Sequence, residues 1–316
     1  MKQNKIIYYW ASNELDNNGE GVLARNFLYL IKSNFKDHKL KPLNKFKNMN
    51  QNTLFYKYIL PIWAALVLWK YYILGKKISY INFLPAWNFI LILILPPKTI
   101  IGPVTGSHKR VKFNFVIKYL TIIGIKILKI RHKKILFSHD FFSKYLNSSK
   151  EYFYNFLLYR FKINNSSNFK KYDLIFYIKN HKNKMNDFSL KLIKELSDKY
   201  KICVIGEKII SKKNVFNMGF VSKKKALSLI RLSKAAVSPP ENLFSFFLLD
   251  CISYKLIVFY NKDYRANKNI MTDLLIPIDY NNYRKSLKII KKINFKKKRE
   301  GIFLKLNVFN NYLKDL

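Results

Sequence analysis

Acids and cysteine are what this chain of 316 residues has least of: 18 Asp plus Glu stand against 59 Lys plus Arg, and only Cys203 and Cys251 occur. Two cysteines inside apolar segments exclude a disulfide framework and a Cys-x-x-Cys metal site, and read as small buried hydrophobes. No Asp-x-Asp pair appears, so no metal is expected at a diphosphate by that route. No Cys/His finger or RNP-type strand is present, and the aromatics sit in apolar runs rather than alternating with basic residues, so no specific nucleic-acid partner is expected. The N-terminal stretch "MKQNKIIYYWASNELD" lacks the apolar core of an export signal, and cytoplasmic residence is the expectation. A long apolar span is missing as well. Ile78–Pro97 just reaches the roughly 20 residues needed to cross a bilayer, but Asn82, Pro85, Asn88, Pro96 and Pro97 break it into a strand, "ISYINFL", and a short helix, "WNFILILIL".

What is present folds. Hydrophobic residues make up 49% and aromatics 16%, far too apolar for disorder, and the length predicts two domains of about 150 residues each. The net charge of +41 has two readings. Lysine-rich blocks such as "KKINFKKKRE" (291–300) suit anionic lipid headgroups, nucleic acid or diphosphates; equally, Lys, Asn, Ile, Phe and Tyr share A/T-rich codons, and the lysines are spread along the chain. A helix over about 111–130 places Lys118, Lys126 and Lys129 in one sector among many apolar residues. It reads either as a helix lying in a membrane interface or as a two-sided core helix whose lysines reach water.

The order of elements is β/α alternation. The strand "KIIYYWA" (5–11) leads through the loop "NNGEG" into the helical pattern "VLARNFLYLIKSNF", and strands recur at "KISYINF", "KTIIGPV" and "KILFSHD". After the loop-like stretch 164–173 the rhythm restarts, with strands at 173–179, 201–207, 215–220, 235–240, 256–261 and 274–278 and helices at about 186–199, 222–234, 241–254 and 280–293. The expectation is an α/β protein of two Rossmann-like doubly wound domains facing a cleft: 1–165 on the acceptor side, 172–300 for a nucleotide sugar, and a final helix, 301–316, crossing back. Ligands bind such sheets at the carboxyl ends of the strands.

Three features gather at those ends in the second domain. Lys179 closes one strand and Lys184 precedes the next helix, a pair of cations suited to phosphate. Glu241 follows the strand "AAVSPP" and is expected to open the helix running to 254, where a carboxylate stabilises the helix dipole. Asp250 lies about two and a half turns further along that helix, on roughly the same side. Because it is set between "FSFFLL" and "CI", plain solvation is an uncomfortable reading for it.

This pattern of cationic strand end, "VIGE", "VFNMGFVS", acid-initiated helix and "LLIPIDYNNYRKSLKII" resembles the C-terminal domain of GT-B glycosyltransferases of the group 1 (GT4-like) type, over about residues 173–293. The resemblance implies that Lys179 and Lys184 bind a donor diphosphate, with Lys179 standing where the family has Arg, which keeps charge and loses bidentate geometry. It implies that Glu241 contacts the transferred sugar and Asp250 the ribose. The family's second acid is a glutamate one residue earlier, so Asn242, Leu243, Phe244 and Ser245 replace its Gly-rich turn. In the first domain Gly19 and Gly21 occupy the place of the family's Gly-rich loop, and His139 is a weaker candidate for donor or acceptor contact. The expected activity is metal-independent sugar transfer, without a cofactor, from a nucleotide diphosphate sugar to a lipid-linked or surface-glycan acceptor (lipopolysaccharide or capsule), with retention as the resemblance implies. The charge and the basic helix add peripheral placement at the inner membrane face, with an anionic membrane surface as a further partner, to the expectation. The alternative is a catalytically weak, GT-B-shaped protein that binds an anionic glycan or lipid.

Overall fold

The computed structural model describes residues 5–12, 14, 19–44, 53–105, 115–132, 135–136, 152–153, 169–179, 186–209, 212–239, 245–262, 270–272, 274–295 and 302–304. The chain divides into two units, Met1–Arg160 with Leu306–Leu316, and Phe161–Lys305.

Unit 1 runs β1 (Lys5–Trp10), α1 (Gly19–Asn34), β2 (His38–Pro42), α2 (Leu60–Ile73, entered through a π-turn over Phe55–Ile59), β3 (Lys77–Pro85), α3 (Phe89–Ile94), β4 (Ile100–Thr105) and α4 (Phe115–Arg131), with short strands β5 (Ile135–Leu136) and β6 (Tyr152–Phe153). The first four strands form a parallel sheet in the order β2-β1-β3-β4, and β5 pairs with β6 separately. Parallel neighbours require crossovers, and the helices supply them. The strand β2 was not anticipated. Its sequence HKLKP carries the charge and the proline of an exposed sheet edge rather than an apolar run.

One apolar cluster joins the sheet residues Tyr8, Trp10 and Tyr80 to Leu60, Ala64 and Leu68 of α2, Leu91 and Ile92 of α3, and Ile125 and Leu128 of α4, so the three helices share one layer. The indole N–H of Trp69 on α2 donates to the Ile94 carbonyl of α3 at 2.6 Å. On α4, Gly124 allows close approach to the turn after β3, because a Cβ there would stand 1.9 Å from the Ala86 carbonyl oxygen. Lys126 and Lys129 of α4 are exposed, as both readings of that helix expect; the Lys118 side chain lies outside the described set. Among the described residues no helix is long and apolar enough to cross a membrane.

Unit 2 runs β7 (Tyr172–Ile178), α5 (Asn186–Leu196), β8 (Ile202–Gly206), β9 (Val215–Gly219), α6 (Lys223–Arg231), β10 (Ser233–Val237), α7 (Phe246–Ser253), β11 (Ile257–Asn261), β12 (Ile270–Thr272), β13 (Leu275–Ile278), α8 (Tyr283–Lys292) and β14 (Ile302–Leu304). Six strands form a parallel sheet in the order β13-β11-β10-β7-β8-β9, and β12 pairs antiparallel with β14. The strands β8 and β11 are buried along their whole length, as strands covered on both faces must be. Two expectations are corrected here. The helix expected over 301–316 does not begin at 301: Ile302–Leu304 is strand β14, extended by its pairing with β12, and the residues after it lie outside the described set. The helix predicted from 241 begins at Phe246, because the Ser245 hydroxyl caps it by accepting from the Leu248 amide at 3.2 Å. Glu241 therefore does not initiate that helix, and it lies outside the described residues together with Asn242, Leu243 and Phe244.

Candidate functional site

The order of strands in unit 2 reverses between β7 and β10: from β7 the chain adds β8 and β9 on one side, and from β10 it adds β11 and β13 on the other. Crevices at such reversals, at the carboxyl ends of the strands, are where doubly wound sheets take ligands. Lys179 follows the last residue of β7 and is exposed; Ser238 and Pro239 follow β10 and are buried.

Two local devices fix these ends. On one side Gly206 closes β8 at φ +98°, and a Cβ on it would stand 2.0 Å from the Ile178 carbonyl oxygen. Only glycine fits both that conformation and that approach. The same carbonyl accepts from the Glu207 amide at 2.8 Å, so the residue just before Lys179 is held from the β8 side. On the other side the buried Tyr280 hydroxyl donates to the Ser238 carbonyl, while its ring stacks on Phe188 of the first turn of α5 at a centroid distance of 4.1 Å. Burial drives the Tyr280 phenol well above its ordinary pKa, so it stays a proton donor. The N-terminal turn of α7 comes over β7 through Phe247, whose ring centroid lies 5.8 Å from that of Tyr177. A cation and the start of a helix thus converge at the switch point. Helix starts present amides and a positive dipole end to anions.

Asp250 lies in the middle of α7 with its side chain only 4% exposed, and its Oδ2 is ion-paired with Lys223, the first residue of α6. The acid therefore carries its own cation, bridging the start of α6, which follows β9, to the middle of α7, which follows β10. Sequence reasoning singled out Asp250 but not Lys223, which is 27 positions away and one lysine among many.

The remaining expected residues divide in two. Gly19 and Gly21 sit in the first turn of α1 rather than in a loop, with Gly21 buried. Lys184 and His139 lie outside the described residues. In unit 1 sequence reasoning missed a group beside β1. The Tyr9 hydroxyl donates to Glu14 Oε2 at 3.3 Å and Arg25 donates to the Glu14 carbonyl at 2.6 Å. Burial raises the Glu14 carboxyl, partly opposed by the Tyr9 hydrogen bond and by Arg25, and burial with Glu14 pushes Tyr9 up to about 12. An acid just past the first strand of an acid-poor chain was the available signal. Among the described residues no cluster of His, Cys, Asp and Glu has metal-ligand geometry.

No protein-family model matches the chain, nor does any curated protein. Solved structures do. The lipopolysaccharide outer core galactosyltransferase WaaB matches with a TM-score of 0.52 at 10% identity, covering 98% of this chain and 94% of that one. The Anabaena protein HepE, solved with UDP-glucose, matches with a TM-score of 0.54 at 7% identity, covering 98% of both chains. The UDP-GlcNAc 2-epimerase from Methanocaldococcus jannaschii matches with a TM-score of 0.51 at 9% identity, again covering 98% of both. These likenesses, with the two parallel sheets, show a two-domain Rossmann-like fold of the GT-B type.

Proposed function

We propose that this chain is a glycosyltransferase that moves a sugar from a nucleotide diphosphate sugar to a lipid-linked or surface-glycan acceptor, at the cytoplasmic face of the membrane. The observation that carries the reading is Lys179 at the point of strand reversal in unit 2, next to an Ile178 held from the β8 side by Gly206 and Glu207, with the neighbouring end of β10 held by Tyr280 and the start of α7 packed on Tyr177 of β7. Supporting it, all three matched folds carry nucleotide-sugar or sugar-transfer chemistry in their own descriptions, one of them as an epimerase.

In this reading Lys179 and Lys184 offset the donor diphosphate, and the segment Glu241, Asn242, Leu243, Phe244 and Ser245 receives the sugar. Asp250 with Lys223 offers a charged acceptor to the ribose, while Gly19, Gly21 and His139 belong to the acceptor side. Lysines and a helix start supply fixed positive charge where the leaving diphosphate develops negative charge, so no metal enters the scheme. Transfer with retention is the stereochemical outcome proposed. A second reading, a catalytically weak binding protein for an anionic glycan or lipid, is favoured by one observation: Asp250 already has a protein partner in Lys223.

Thermal stabilisation against UDP, GDP, CMP and their sugar conjugates separates the two. One nucleotide shifts the wild-type midpoint, the shift is lost in Lys179→Ala and Lys184→Ala, and Glu241→Ala keeps nucleotide binding while losing transfer. No shift with any nucleotide sinks the transferase reading.

A further inference from the structure

The outward face of the α2–α3–α4 layer is apolar where a surface facing water would be polar. Along α2 and its entry turn the exposed positions include Ile59, Ile62, Trp63 (53% exposed), Leu66 (58%) and Ile73, repeating every three or four residues opposite the buried Leu60, Ala64 and Leu68. Ile90 (59%) and Leu93 continue the face on α3, and Phe115 (79%), Tyr119 and Ile130 (85%) continue it on α4. Trp69 ties α2 to α3, and α4 is tied to α3 by the approach of Gly124 to Ile92 and by Arg131, which donates to the Leu95 carbonyl at 2.6 Å. Their exposed apolar side chains therefore form one surface rather than scattered singletons, and patches of this kind mark interaction sites.

The charge around this face identifies its occupant. Lys70, Lys126 and Lys129 are exposed among the apolar residues. From His38 to His139 the chain contains no Asp or Glu, within a protein of net charge +41. Just beyond Ile73 and Leu74, a recess of about 670 Å³ is lined by Lys5, His38, Lys76 and Lys77, which open or precede the strands β1, β2 and β3. Burial and the nearby Lys5 hold the Lys77 ammonium below its ordinary pKa, and it rests 4.3 Å from the centre of the Phe35 ring. A second copy of the chain would set cation against cation across this face, and a nucleic acid would leave the apolar residues unburied. An anionic bilayer satisfies both features, taking the Trp, Tyr and aliphatic side chains into its headgroup–acyl boundary and pairing its phosphates with the lysines.

We infer that the outer face of α2, α3 and α4 docks flat on an anionic lipid bilayer, with the Lys5–His38–Lys76–Lys77 recess at its edge receiving lipid phosphate. Because no described helix can span, the protein lies on the membrane through this face. The inference does not rest on the transferase reading: a chain that binds vesicles but no nucleotide keeps it and loses the other.

The test is flotation of the full chain with phosphatidylcholine vesicles, with and without about 30 mol% phosphatidylglycerol. Expected are binding to the anionic vesicles that outlasts moderate salt and a blue shift of tryptophan emission from Trp63 and Trp87. The double variant Trp63→Glu/Leu66→Glu should lose about tenfold or more in vesicle affinity with its thermal midpoint unchanged. If that variant misfolds, Lys126→Glu/Lys129→Glu replaces it, with binding weakened most at low salt. Three results overturn the inference: no binding to anionic vesicles, binding indifferent to both variants, or a wild-type dimer that the Trp63→Glu/Leu66→Glu change makes monomeric.

Discussion

Both units wrap helices around a parallel sheet, yet they dress those helices in opposite ways. On α6 and α8 the buried positions are apolar or small (Leu229, Ile230, Ser286, Ile290) and the outward ones are lysines and arginines. On α2, α3 and α4 the inward face is equally apolar, but the outward face is apolar too, with a few lysines among Ile, Leu, Trp and Phe. Folding onto a sheet dictates only the inner face. What lies beyond the molecule dictates the outer one, and for the first unit the proposed environment is a bilayer surface rather than water alone.

The sharpest way to break this comparison is to alter the two faces of one helix. Leu68→Ala, on the fully buried side of α2, should destabilise unit 1 by about 4 kcal/mol, whereas Leu66→Ser on the exposed side should change stability by no more than about 0.5 kcal/mol in urea unfolding. Equal losses would mean that the outer face is packed after all. In the second unit, Gly206→Ala should cost about 3 kcal/mol, since the new Cβ meets the Ile178 carbonyl and the backbone sits at positive φ. The same change should weaken nucleotide binding by displacing Lys179, which a titration would read.

Acid sharpens the contrast between the units. His132, buried at the end of α4, is pushed down to about 4 by burial first and Arg131 second. With the folded pKa below the ordinary value of about 6.5, the unfolded chain binds the extra proton. The contribution is complete above about pH 6.5 and is lost as pH falls towards 4, on the order of 3 kcal/mol. Asp279 in unit 2 behaves differently. Its hydrogen bond from Lys262 holds the carboxyl below the usual carboxylate range, so that contribution survives to more acidic pH. Circular dichroism against pH should therefore show unit 1 loosening first, and His132→Phe should flatten its acid limb. A more modest loss is expected from Tyr280→Phe, about 1–2 kcal/mol, because the Ser238 carbonyl loses its donor while the ring stack on Phe188 remains.

The six strands of the main sheet of unit 2 were legible because parallel strands covered on both faces read as continuous apolar runs, and each lies within three residues of its expected bounds, whereas the short pair β12 and β14 was not anticipated. The edge strand β2 was not, since Lys39, Lys41 and Pro42 belong to a surface and form a strand only by pairing with β1. The start of α7 shifted because a serine hydroxyl, not the upstream acid, caps it. The Asp250–Lys223 pair and the Tyr280 anchor were invisible for a common reason: each joins residues 27 to 42 positions apart, and nothing local marks one lysine or tyrosine among many. The outer face of α2–α4 was not legible for a different reason, and for α4 the sequence left both readings open. A helix apolar on all sides has the sequence of a buried one, and only the folded layer reveals which half of it lies outside.

The central claim is a donor site where strand order reverses in unit 2, and hydrogen–deuterium exchange with and without a nucleotide diphosphate sugar tests it most directly. The account predicts protection concentrated in the segments that follow β7 and β10, residues 178–188 and 238–248, and its loss in Lys179→Ala. Protection elsewhere in the chain, or none at saturating nucleotide sugar, would contradict it.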